Sequence, residues 1–478
     1  MATSYDVSMT NFDGNTGDDD DDNNIHYIAS KSFNQSISNE QQQQTMNGYK
    51  ILFHIPARKI LIGILIFLAI LISLLTLGII LNYFMVKHTN WFYPDRPNIS
   101  HQHHNNNEIY SILDTYSKYY PKLTRLYTIG YSNRNKPIKV LEISDQPGVH
   151  EPGEAEIKLI GNIHGNEVVG RELLLHLIDH LLSTYHSNSS TRSLVDNVRI
   201  HIAPTINPDG YENANEGDCM GTVGRYNANG RDLNRNFPDQ FVNNDNNEKQ
   251  EIETEIVMKW TKQYPFVLSA SFHGGSLVVN YPFDNNKEMI KNETKCPDDD
   301  VFRHLSLIYS KSHQYMYNND GRCLDSCDNT VDYFSQGITN GAKWYPVAGG
   351  MQDWNYIHAN CFELTIEVGC KKYPLSNELE TYWQQHKNSL LNLINSTYSG
   401  VHGFVYDNHG QPIESAIISV DGIDKNITTY KTGDYWRLLT PERQYRITAS
   451  KYGYDSQTST IYIHYSYRLD FTLNESIL

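Results

Sequence analysis

His164 and Glu167 stand three residues apart, and another histidine, His273, follows in the run SASFHGGSLVVNYPFD. Two imidazoles and a carboxylate are the side chains that hold a hydrolytic zinc ion when a fourth position stays open for water. The His-x-x-Glu pair alone recurs by chance, so it needs a third ligand from a distant element. His273 suits that role because it ends an apolar strand and precedes two glycines that permit close backbone approach. Other histidines read differently. His176 and His180 enclose Leu-Ile-Asp and lack the glutamate of a His-Glu-x-x-His motif, so they belong to a plain amphipathic helix. His101, His103 and His104 lie in HQHHNNN, whose composition reads as a solvated stalk.

The elements that must position these groups follow from periodicity. IKVLEIS and EIKLIGNI read as strands, and the second runs directly into His164 and Glu167. VVGRELLLHLIDHLLSTY follows with an apolar stripe at helical spacing. Strand, loop and helix in that order predict an α/β domain on a mixed, largely parallel central sheet flanked by helices. Catalytic groups collect at the carboxyl ends of such strands, where His164 and Glu167 fall. From Ser399 the pattern changes to short alternating strands broken by turns, a small all-β sandwich over 399–475.

The ordered blocks then become specific. NPDGYE, GRYNANGRDLNRNFPDQF, SFHGGSLVVNYPFD, PDDDVFRHL, NGAKWYPVAGGMQDWNY and CFELTIEVGCKKYP follow the His164–Glu167 pair in sequence. Together they resemble the zinc metallocarboxypeptidases of the regulatory N/E subfamily, which includes carboxypeptidases D, E, M and N, with a transthyretin-like module at the C-terminus. The resemblance covers roughly 108–475. It implies one Zn2+ per chain, held by His164, Glu167 and His273, and a peptidase that removes C-terminal Lys or Arg from peptides and proteins. It further implies Glu367 as the general base acting on the zinc-bound water and Arg225 as the group that polarises the scissile carbonyl. Asn234 and Arg235 match the residues that hold the terminal carboxylate, a task for which the planar guanidinium fork is suited. Tyr345 matches the tyrosine that closes over the substrate. Asp284 matches the acid that pairs with a terminal Lys or Arg, and Gln352 a polar residue of the same pocket. Glu363, four residues before Glu367, shares its strand face and reads as a structural acid. Trp354 and the Val368-Gly369 pair depart from the subfamily pattern beside the site without removing a required group. The alternative reading is a catalytically silent peptide-binding or adhesion member of the same fold.

The rest of the chain bounds this picture. A formal net charge of −16 excludes a general nucleic-acid binder and suits cationic substrates, although the run Asp18–Asp22 is itself a charged tail. Six cysteines lie between residues 219 and 370, an even number that favours disulfides in an oxidising compartment; their pairing is not readable. Residues 1–50 are polar and aperiodic and read as a disordered cytoplasmic tail. Residues 60–86 contain no charge and are long enough to cross a bilayer as an uncleaved signal anchor, followed by the stalk over 87–107 and the catalytic domain over 108–398. Six Asn-x-Ser/Thr sequons follow that segment and one, at Asn34, precedes it. That distribution predicts a single-pass type II protein, anchored in the lipid bilayer by one helix, with its catalytic domain extracellular or in the secretory lumen. The closing LNESIL is too polar for a lipid-anchor signal.

Overall fold

The computed structural model describes residues 57–92, 96–242, 249–323, 327 and 332–476. The expected tail over 1–50 lies outside these residues. The helix Ala57–Phe92 forms a unit of its own through Val86. Its stretch Arg58–Tyr83 is long and apolar enough to cross a membrane, spanning roughly 39 Å at 1.5 Å per residue. Helical geometry continues to Phe92, beyond the expected end of the span at residue 86.

The second unit is built on eight strands: β1 (Thr124–Tyr131), β2 (Pro137–Ile143), β3 (Ala155–Gly161), β4 (Val198–Ala203), β5 (Phe266–His273), β6 (Ser276–Tyr281), β7 (Ile338–Asn340) and β8 (Phe362–Gly369). They form one sheet in the order β1-β2-β4-β3-β5-β8-β6-β7. The central β4-β3-β5-β8 run is parallel, and antiparallel pairs join β1, β2 and β6 to it. The sheet is therefore mixed around a parallel centre, as the alternation of elements predicts. Every residue of β3, β4, β5 and β8 is buried, because helices cover both faces and leave no solvated side to require polar alternation. Val169–Thr184, Asp299–Ser312 and Leu379–Asn395 supply one core, and Ile252–Gln263 with Met351–His358 supply another.

Residues 96–107 differ from the solvated stalk expected of them. Ile99 is buried, His101 stacks on His176, and the buried His104 imidazole meets Glu172 at 2.7 Å. A polar composition hid this docking because the acceptor, Glu172, lies on a helix nearly 70 residues away. The cysteines also divide. Cys219 bridges Cys327 and Cys323 bridges Cys370, whereas Cys296 and Cys361 are buried free thiols.

Eight further strands complete the chain: β9 (Gly400–Asp407), β10 (Ile417–Val420), β11 (Ile423–Thr428), β12 (Asp434–Leu438), β13 (Arg443–Ser450), β14 (Gln457–Ile463), β15 (Ser466–Arg468) and β16 (Phe471–Leu473). One sheet runs β11-β10-β13-β14; the other is β12-β9-β15, with β16 also pairing β9. Their facing sides share a separate apolar core around Val405, Ile418, Ile447 and Phe471.

This β-module is tied to the α/β part by buried charge. The His150 imidazole lies 2.7 Å from Glu156 and 3.0 Å from Asp434. Burial alone would lower its pKa, but the two carboxylates outweigh that and raise it to about 9. The folded value exceeds the unfolded 6.5, so the stabilisation is complete below pH 6.5 and disappears as pH rises through about 9. Melting curves should therefore show wild type losing its advantage over His150→Gln between neutral pH and about pH 9. Parallel pH profiles for the two proteins would contradict this account.

Candidate active site

β3, β5 and β8 end together, and their carboxyl ends deliver the chemistry. His164 and Glu167 follow β3, His273 closes β5, and Glu367 lies on β8. His273 and Glu367 are directly opposed in the parallel β5–β8 ladder. The loop after β3 can double back because Gly165 packs against the backbone of Gly210 and Gly224, where a Cβ would collide.

His164, Glu167 and His273 converge, with one ligand atom from each within 4.8 Å of the others and all three residues buried. His164 Nδ1 lies 2.8 Å and His273 Nδ1 2.9 Å from Glu167 Oε2, and the two Nδ1 atoms are 3.1 Å apart. A single proton cannot satisfy two facing imidazole nitrogens and a carboxylate oxygen, but a divalent cation can accept all three. The outer nitrogens are already held, His164 Nε2 by Asp232 at 2.9 Å and His273 Nε2 by Ser271 at 3.1 Å. Such outer contacts turn the inner nitrogens toward a metal. Borderline imidazole and carboxylate donors in this number suit zinc.

The surrounding electrostatics support an ionised ligand beside a proton acceptor. Burial would raise Glu167, yet the charges and hydrogen bonds of His164 and His273 hold it well below the carboxylate range. Glu367 moves the other way: burial first, then the neighbouring Glu167 charge, push it well above. Its Oε2 is buried without a hydrogen-bond partner among the described residues.

One cavity of about 300 Å3 is lined by His164, Glu167, Arg225, Asn234, Arg235, His273, Asp284, Tyr345 and Glu367. Of the residues expected at the site, Gln352 is absent from this lining, but its Nε2 donates to Asp284 Oδ1 at 2.8 Å from behind. Asn280 donates to the same oxygen at 2.9 Å. A Cβ at Gly341 would collide with that oxygen, so the backbone there must stay bare. Burial raises the Asp284 carboxyl to about 7. Arg225 grips Asp232 through Nε and Nη2 at 3.0 and 2.8 Å and donates from Nη1 to Glu167 Oε1 at 2.9 Å. Glu363 does not line the cavity; its Oε2 takes Ser269 Oγ at 2.5 Å and Asn355 Nδ2 at 2.6 Å, with Lys158 at 3.4 Å.

Three residues were missed from sequence. Asp232 holds both His164 and Arg225, Asp353 accepts the Asp284 backbone N–H at 3.0 Å, and Lys372 lies 3.6 Å from Glu167 and lines the cavity. Asp232 had a signal: it is the acid between Arg225 and the Asn234-Arg235 pair.

Profiles of known families agree with this geometry. The zinc carboxypeptidase profile matches residues 109–389, and a carboxypeptidase regulatory-like domain matches 400–474. The chain belongs to the zinc carboxypeptidase family. The chain is 50% identical over 390 residues to carboxypeptidase D of Homo sapiens, covering 80% of the present chain and 28% of that protein. It is 41% identical over 390 residues to the carboxypeptidase N catalytic chain of Mus musculus, covering 76% and 83% respectively. The chain thus spans little more than a quarter of the carboxypeptidase D length. A crystal structure of thrombin activatable fibrinolysis inhibitor overlays with a TM-score of 0.47 at 19% identity, covering 62% of the present chain and 75% of that chain.

Proposed function

We propose that this protein is a zinc metallocarboxypeptidase that removes C-terminal Lys or Arg from peptides and proteins. The single observation that carries the reading is Asp284, a buried carboxylate lining the same cavity as the His164–Glu167–His273 cluster. Zinc bound by those three residues would supply a Lewis acid and a water of lowered pKa. Glu367 takes a proton from the attacking water and returns it to the departing amine as the C–N bond breaks. Its buried Oε2, without a hydrogen-bond partner among the described residues, is open to take that proton and hand it back. The Arg225 guanidinium donates to the carbonyl oxygen as negative charge grows there. Asn234 and Arg235 hold the terminal carboxylate, and Tyr345, exposed at the rim, covers it. A terminal Lys or Arg extends to Asp284, whose orientation Asn280 and Gln352 maintain.

The test is hydrolysis of a panel of peptides differing only in the last residue, with and without a chelator. Release should be confined to Arg and Lys termini and abolished by chelation; equal release of Phe or Leu would refute the specificity. In Asp284→Asn, kcat/KM for Arg termini should fall about 100-fold, as a buried hydrogen-bonded charge pair is worth roughly 2–5 kcal/mol. Because the Asp284 carboxyl is raised to about 7, KM for Arg peptides should fall as pH rises through that value. The asparagine variant should lack this dependence.

The same reading places the catalytic domain outside the cytoplasm, anchored by the Arg58–Tyr83 helix. Asn98, Asn188, Asn292, Asn395, Asn426 and Asn474, the sequon asparagines after that helix, are all exposed and open to glycosylation. Glycosidase treatment of protein from a secretory cell should shift its gel mobility; an unmodified chain would count against this orientation.

A further inference from the structure

A second cavity, of about 530 Å3, lies where the β-module meets the α/β sheet and shares no lining residue with the active-site cavity. Its walls carry Arg125, His150, Arg199, Lys259 and Lys431, and no carboxylate among the described residues. That is against the trend of a chain with net charge −16. Three acids lie behind the wall. Glu142 and Glu156 take Arg199 Nε and Nη1 at 2.8 and 3.0 Å, and Asp434 shares His150 with Glu156. Five basic side chains thus line the cavity itself, while the acids that pair with them stand behind its wall.

The basic groups are spread over the wall. Arg199 is only 2% exposed, and its Nη2 makes no hydrogen bond among the described residues. Lys259 and Lys431 are exposed and make no ion pair among the described residues, and Arg125 reaches only Glu142, at 3.4 Å. Between these charges stand rings. Arg125 lies over Tyr127, Arg199 over Tyr264 and Lys431 over Tyr430, at 5.0, 5.4 and 5.2 Å from the ring centroids. A lone phosphate would leave most of these separated cations and all of the aromatic wall unused. A chain of rings bearing several spaced anionic esters would use both.

We propose that this cavity binds a sulfated carbohydrate, with its sulfate esters on Arg125, Arg199, Lys259 and Lys431 and its sugar faces against Tyr127, Tyr264 and Tyr430. The site goes beyond the peptidase activity and does not depend on it. An encounter with such a ligand in the cell rests on the topology proposed above, whereas binding in solution does not.

The test is calorimetric titration of the full-length protein in detergent with a heparin-derived hexasaccharide. One saturable site is expected, weakening several-fold between about 50 and about 200 mM NaCl as the Debye length roughly halves. Lys259→Glu with Lys431→Glu should weaken binding about tenfold or more, since two attractive surface charges become repulsive. Both side chains are exposed, so that variant should keep its melting temperature and its release of terminal Arg. Arg125→Ala should weaken binding several-fold by itself. Absence of saturable binding, affinity within twofold in the double variant, or equal binding of a desulfated hexasaccharide would each overturn the proposal. Tighter binding of a phosphoserine peptide than of the hexasaccharide would overturn the carbohydrate assignment.

Discussion

Glu367→Gln is expected to lower kcat on an Arg-terminated peptide by about 1,000-fold, within the range general acid–base catalysis contributes. The substitution keeps the shape of the side chain and removes its ability to accept and return a proton. Under the proposed function zinc is held by other residues, so zinc content should match that of the wild type. Glu367 Oε2 has no hydrogen-bond partner to lose among the described residues, so folding should be nearly unaffected. Metal content, a melting curve and single-turnover kinetics on one preparation distinguish the possibilities. Near-normal turnover would remove Glu367 from its role, whereas lost metal would place it among the ligands instead.

Arg437→Met is expected to be the most damaging single change to stability. Arg437, in β12, meets Asp298 at 2.7 Å with both side chains fully buried. Asp298 Oδ2 accepts from Tyr356 as well, and Arg437 Nη1 reaches the Leu438 carbonyl at 3.0 Å. Removing the cation strands a carboxylate in a dry interior, a loss of about 3–5 kcal/mol. At roughly 2 °C per kcal/mol for a domain of this size, the melting temperature should drop by on the order of 6–10 °C. Adding Asp298→Asn should restore part of the loss, because the uncompensated charge then disappears. A double variant no more stable than Arg437→Met alone would show that packing of Arg437 over Phe362, and not charge, held the modules together.

The site was legible where chemistry and local order coincide. His164 and Glu167 sit in one loop directly after a strand and His273 ends another, so strand ends aligned these three, whereas Glu367 on β8 was singled out by the family resemblance. Arg225, Asn234 and Arg235 came from ordered blocks carried by the family resemblance, and no periodicity would have found them. What stayed hidden was set by tertiary approach. Lys372 lies three residues past β8, and only the fold brings it to within 3.6 Å of Glu167. The pairing of Cys219 with Cys327 depends on a loop closure across 108 residues, to which composition is blind. Residues 96–107 looked solvated because polarity reports average hydration, whereas His104 is buried by one specific partner.

The direct opposition of His273 and Glu367 across β5 and β8 has a mechanical corollary. Under the proposed function, a metal ligand and a proton carrier fixed on the same rung of one ladder cannot be adjusted separately, since slipping either strand by one position would turn its side chain to the opposite face. On that reading, changes in the terminal residue accepted come from Asp284, Gln352 and the loops that hold them, while the proposed reacting pair stays a rigid cartridge. Redesign for a new terminal residue can be confined to that outer wall.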